Sequence, residues 1–144
     1  MPVRLTKNIA SPEIYDAVVG EVDLVIMDLK NYDNKVHREV TGVENTRILE
    51  NYKHLAVLGK GCIIRTPVIP GVNDKPEEIR TIAKLAAKAK GFIYYELMPY
   101  HGFGIGKLES MGMNPKQEKV LVPPDAEHME MLREAARDAG IPVK

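Results

Sequence analysis

Residues Val22 to Lys30 read Val-Asp-Leu-Val-Ile-Met-Asp-Leu-Lys, and few folds accommodate such a run. Leu24 to Met27 is continuously apolar, as in a strand covered on both faces of a parallel sheet. The run then turns polar at Asp28 and Lys30. These two share parity, so in a strand both point to the same side. A buried strand that ends in an acid and a base aimed together carries either a structural ion pair or a site, and exposed pairs of this kind contribute little to stability.

The segments around this strand repeat its logic. Pro2 to Thr6 reads as a short strand. Ser11 and Pro12 signal a helix start, Ile14, Ala17 and Val18 form its expected apolar side, and Gly20 its end. Asn31 to Glu44 is polar and reads as a loop with a turn of helix. Ile48, Leu49, Tyr52, Leu55, Ala56 and Leu58 recur at helical spacing after Asn45, up to the glycines Gly59 and Gly61. Cys62-Ile63-Ile64 is a second buried strand ending at Arg65-Thr66, followed by turn chemistry from Pro67 to Asp74. Asp74 is the expected cap of a third helix, with Ile79, Ile82, Leu85, Ala86 and Ala89 inward and Gly91 at its end. Phe92 to Met98 is the next strand. Pro99 to Pro124 is a long loop, which in a compact domain usually serves function or moves. Asp125 caps a last helix with Met129, Leu132, Ala136 and Ala139 inward, Gly140 closes it, and Ile141 to Lys144 is a short tail.

The order βαβαβαβα predicts an α/β fold with a parallel sheet. About four βα units in one domain spanning residues 1–144 amount to half of an eight-unit barrel. Such a partial TIM barrel leaves two sheet edges to be covered or paired, which favours homodimerisation or pairing with a separate chain. The length of 144 residues suffices for a core that buries about 70% of the unfolded surface. Lys+Arg and Asp+Glu number 20 each, so no net field favours nucleic acid or an anionic membrane. No apolar run approaches the roughly 20 residues of a membrane span, and no signal peptide is visible. A single cysteine rules out an internal disulfide framework or a multi-cysteine metal site within the chain. A cytoplasmic protein is expected.

In parallel α/β folds, sites gather at the C-terminal strand ends. Those ends carry Thr6 and Asn8, Asp28 and Lys30, Arg65, and Tyr100 with His101. Such a rim suits a zwitterionic or anionic small molecule, with Lys30 or Arg65 for a carboxylate and Asp28 for an ammonium or hydroxyl. His101 also has the plain reading of a solvated loop histidine, and Cys62 that of a core residue. His37 and His54 sit on polar stretches and suggest no metal site. Gly102 to Lys107 resembles a phosphate loop, but His101 and Leu108 stand where that motif needs Gly and Ser or Thr. A dinucleotide fingerprint fails at Lys107.

Several blocks resemble the radical S-adenosylmethionine (SAM) activating enzymes, the family of pyruvate formate-lyase activating enzyme. Asp23 to Lys30 is similar to that family's "DLVLLDLK" strand. His37, Thr41-Gly42, Asn45, Ile48-Leu49 and Asn51 resemble "H…TG…N…IL.N", and Ile64 to Asp74 resembles "IR.P.IPG.ND". Glu96 to His101, with Gly106-Lys107 and Gly112, resembles "ELLPYH..G..K…LG", and Pro123-Pro124 also fits. The blocks keep order and spacing from about Thr6 onward and match the family's C-terminal portion.

The resemblance implies a partial TIM barrel of six βα units, of which this chain is the later part. It implies that Asp28, Lys30 and His101 help hold SAM, that Thr6 lies near SAM and a bound cation, and that Arg65 lines the same cavity. A complete enzyme would cleave SAM to a 5′-deoxyadenosyl radical and abstract hydrogen from a glycine of a partner glycyl-radical enzyme. The family's CxxxCxxC motif, which ligates a [4Fe–4S] cluster, is absent here, as is its N-terminal glycine-rich SAM segment. Leu5 stands where the family has an acid before the threonine, and Lys7-Asn8 around its usual glycine. The expectation is therefore a chain with SAM-binding residues but no metal ligands or catalytic residues of its own, inactive without an N-terminal half. The alternatives are a non-catalytic SAM-pocket remnant acting as a binding or oligomerisation module, and an unrelated βα enzyme using Lys30 or His101 directly.

Overall fold

The computed structural model describes residues 4–5, 11–32, 35, 38, 45–99 and 124–144. The chain alternates β1 (Arg4–Leu5), α1 (Pro12–Glu21), β2 (Leu24–Asp28), α2 (Thr46–Leu58), β3 (Cys62–Val68), α3 (Pro76–Ala86), β4 (Phe92–Pro99) and α4 (Ala126–Arg137). The strands form one parallel sheet whose spatial order, β1-β2-β3-β4, is also the chain order. The expected α/β half-barrel arrangement is present.

Strand alternation divides the sheet into two faces. Val25, Met27 and Leu29, then Cys62, Ile64 and Val68, then Tyr95 and Leu97 are buried in one cluster with helix residues such as Tyr52, Leu55, Ile79, Ile82, Met129 and Leu132. The opposite-parity residues, Asp28, Arg65, Tyr94, Glu96 and Met98 among them, remain partly exposed.

Four local expectations are corrected. In α1 the inward residues are Tyr15 and Val19, each 1% exposed, while Ile14 and Val18 are 59% and 38% exposed. Both pairs have i,i+4 spacing, one residue apart, so they differ by a single 100° step around the helix. The larger tyrosine takes the core side. The helix also runs through Gly20 to Glu21. In α2, Leu58 points outward at 54% exposure, although Gly59 ends the helix in the left-handed conformation at φ 74°. The residue at the α3 N-cap is Lys75. Asp74 instead accepts from the Gly71 amide and faces His128 of α4.

The fourth concerns β3, which continues through Pro67 to Val68. A proline inside a central strand normally argues against the assignment, because the ladder loses a donor. Here Leu29 N donates to Arg65 O, so the parallel pattern would have Leu29 O accept from residue 67. The Thr66 hydroxyl supplies that bond, donating to Leu29 O at 2.6 Å. Thr66 also bonds the Tyr95 hydroxyl at 2.7 Å, which ties three strands together.

The last residues of the chain lie beside β4. Tyr95 N donates to Pro142 O, Lys144 N to Tyr95 O and Leu97 N to Lys144 O, and Val143 forms a parallel bridge with Tyr95. Read from sequence as a plain tail, the segment covers one of the two sheet edges expected to be open.

Candidate functional site

At the C-terminal strand ends the structure brings Asp28, Lys30 and Arg65 together. Asp28 and Arg65 are direct register partners on β2 and β3. Arg65 Nε donates to Asp28 Oδ1 at 2.9 Å. Asp28 therefore pairs across strands with Arg65; among the described residues Lys30 forms no ion pair. Burial pulls the Lys30 ammonium below the ordinary lysine range, and the Asp28 carboxylate partly restores it. Thr6 and His101 lie outside the described residues, as do Asn8, Tyr100 and the loop 100–123.

The backbone under this rim is fixed by asparagines. Asn73, 1% exposed, donates from Nδ2 to Lys30 O and Pro67 O at 2.9 Å each, and accepts from Ile69 N at 2.8 Å. It clamps the strand end that carries Lys30 to the turn after β3. Asn45 Nδ2 donates to Tyr32 O at 2.8 Å and Asn31 O at 3.2 Å, and Asn31 Nδ2 to Val72 O. The motif reading took Asn73 as turn chemistry. A polar side chain buried beside a strand end was the signal that it holds neighbouring segments together.

Glu96 also belongs to this row and was missed. It is the register partner of Arg65 on β4. One charge in the otherwise apolar strand Phe92–Pro99, at the parity opposite to Tyr95 and Leu97, was the available signal.

Cys62 lies on the helix side, fully buried, and burial pushes its thiol up to about 11. Its sulfur is enclosed in the helix-side core, away from the strand-end rim. Among the described residues no group of three or more His, Cys, Asp or Glu could hold a metal ion. No helix among them is long and apolar enough to cross a membrane. A depression of about 380 Å³ lined by Lys53, His54, Val57 and Leu58 lies on α2, whose C-terminal end faces the opposite end of the strands from this rim.

A parallel sheet with helices on one face and a charged row at its strand ends is the arrangement of a partial α/β barrel. The solved domain of pyruvate-formate lyase-activating enzyme from Bacteroides vulgatus superposes with a TM-score of 0.79 at 25% identity, covering 98% of this chain and 78% of that one. An isethionate sulfite-lyase activating enzyme of Nitratidesulfovibrio vulgaris is 36% identical over 129 residues, 88% of this chain and 41% of its own length. A 4-hydroxyphenylacetate decarboxylase activating enzyme of Clostridioides difficile is 33% identical over 139 residues, 94% of this chain and 43% of its own. No family model matches the chain. The chain is a homologue of the glycyl-radical-enzyme activating enzymes and corresponds to their C-terminal part. It spans less than half the length of these two relatives.

Proposed function

We propose that residues 1–144 act as one domain forming the C-terminal wall of a SAM site in a glycyl-radical-enzyme activating system. The supporting observation is the convergence of Asp28, Lys30 and Arg65 at adjacent strand ends. SAM carries a carboxylate, an ammonium and a sulfonium, and this rim offers groups of both signs. Lys30 takes the ligand carboxylate, and Asp28 holds the Arg65 guanidinium toward the cavity. Thr6 and His101 complete the set.

The donor set does not fit a [4Fe–4S] cluster, since the sequence has one cysteine and it is enclosed in the helix-side core. Residues outside this chain would have to hold such a cluster, which would supply the electron for SAM cleavage. This chain contributes binding and orientation, and a glycine of the partner enzyme loses the hydrogen atom. By itself the chain binds SAM without cleaving it.

Calorimetric titration with SAM tests the binding. Measurable affinity, reduced at least tenfold in Lys30→Ala, is expected. Absence of binding, or binding untouched by Lys30→Ala and Asp28→Ala, overturns the site. Cleavage is tested by anaerobic iron–sulfur reconstitution, where a stoichiometric cluster with 5′-deoxyadenosine formation from the chain alone contradicts the proposal. The burial of the single cysteine, Cys62, also favours a second reading, a SAM-pocket module that binds or oligomerises without catalysis. Supplying a separate chain that bears CxxxCxxC separates the two: restored cleavage supports the first, and continued inactivity the second.

A further inference from the structure

Helix α1 carries two apolar stripes, and the core uses one of them. Tyr15 and Val19 face inward, while Ile14 and Val18 are exposed. Successive residues turn about 100° around a helix, so Asp16 lies to one side of Tyr15 and Ile14 equally far to the other. Asp16 faces α2, where its Oδ2 meets His54 Nδ1 at 3.2 Å. Ile14 and Val18 therefore occupy the flank of α1 turned away from α2. They stand one turn apart and form a ridge of the kind a neighbouring helix packs against.

That flank lies on the β1 side of the sheet. The strands follow chain order, so β1 is the outermost strand there, and among the described residues it pairs with β2 alone. The opposite edge is closed by the chain itself, since residues 142–144 are hydrogen-bonded alongside Tyr95 and Leu97. At the β1 side an edge strand instead adjoins an apolar helix flank. A βα unit placed ahead of β1 with the same right-handed crossover would pair its strand with β1 and lay its helix against this flank. The relatives that match the chain over their C-terminal part extend beyond the match for more than half their length, so their additional residues precede the position of β1.

We propose that the β1 edge together with Ile14 and Val18 docks the last βα unit of an N-terminal half. The strand of that unit extends the sheet in parallel, and its helix buries an apolar stripe on the α1 ridge. The inference rests on the reading of the chain as one wall of an activating system and names the surface by which it meets the rest. A second copy of the chain would bring β1 against β1 antiparallel about a two-fold axis, whereas every strand pairing among the described residues is parallel.

Co-expression of the tagged 144-residue chain with the portion of the Nitratidesulfovibrio vulgaris relative that precedes its matched segment tests this docking. An equimolar complex is expected on size exclusion, with its yield reduced about tenfold when Ile14→Lys and Val18→Lys are combined. Both positions are exposed, so circular dichroism and the melting curve of the doubly substituted chain alone should match wild type. Absence of a complex with the wild-type chain overturns the proposal, as does equal capture by the substituted chain. A wild-type chain that dimerises by itself in sedimentation, and becomes monomeric with the two lysines, gives the face to a second copy and overturns it as well. Titration of the lone chain with SAM keeps the two readings apart. SAM binding without capture of the N-terminal portion leaves the SAM site standing and removes the docking face. Capture without SAM binding does the reverse.

Discussion

Thr66 does the work of a missing backbone amide. Pro67 has no N–H to offer Leu29 O, and the neighbouring hydroxyl fills the gap. Thr66→Val removes that donor and strands the Tyr95 hydroxyl, which is fully buried. The expected loss is about 2–3 kcal/mol in urea unfolding, whereas Thr66→Ser, which keeps the hydroxyl, recovers most of it. A Val variant as stable as wild type would mean the ladder is held elsewhere. The apolar run and the two rim charges at Asp28 and Lys30 were legible in the sequence because a strand's parity is fixed by geometry. The identity of Asp28's partner was not. Lys30 is near in sequence and Arg65 is 37 residues away, and register between strands is set by the whole sheet rather than by local pattern.

The elements show why some faces could be read and others not. In α3 the apolar positions form a single stripe, and Ile79, Ile82 and Ala86 are all essentially buried as expected. In α1 two candidate stripes compete, and the choice between Ile14 and Tyr15 depends on how the helix leaves the sheet. Glycines separate in the same way. Gly20 lies inside α1 with open space around a notional Cβ, so Gly20→Ala is expected to raise stability by about 0.5–1 kcal/mol. Gly91 is the contrary case, since a Cβ there would collide with the Lys60 carbonyl. Its own carbonyl accepts from Cys62 N at 2.9 Å, so the chain cannot move aside freely. Gly91→Ala is expected to cost at least ~2 kcal/mol. Thermal melts of the two variants should move in opposite directions, and a parallel shift would contradict these packing assignments.

For the whole molecule, burial of titratable groups predicts the response to alkali. Burial raises the tyrosines Tyr15, Tyr52 and Tyr95 and lifts the Cys62 thiol from 9.0 to about 11. Each is held neutral in the fold and ionises more easily in the unfolded chain. This contribution is therefore fully present below about pH 9 and is lost as pH rises through the folded values. Cys62 accounts for roughly 2 kcal/mol of lost stability by pH 11. Urea midpoints should fall between pH 9 and 11, and less steeply in Cys62→Ala compared with its own neutral value. A flat profile would show that these groups are hydrated in the fold. Thiol labelling below pH 9 should be slow until the protein unfolds.

The tail supplies a second test at this scale. Removing Ile141 to Lys144 takes away the partners of Tyr95 N and Leu97 N and opens the β4 edge. Sedimentation at micromolar concentration should show greater self-association than the full chain, and an unchanged profile would mean the edge is protected by other means.

The sheet keeps its strands in the order in which the chain makes them. Each strand's neighbours in space are its neighbours in sequence, so every βα unit touches the rest through one seam on each side. A gene encoding such a protein can gain or lose whole units at a terminus without rewiring the others. Fold of this kind is inherited by the segment, like links of a chain, and a piece retains the local grammar of the whole.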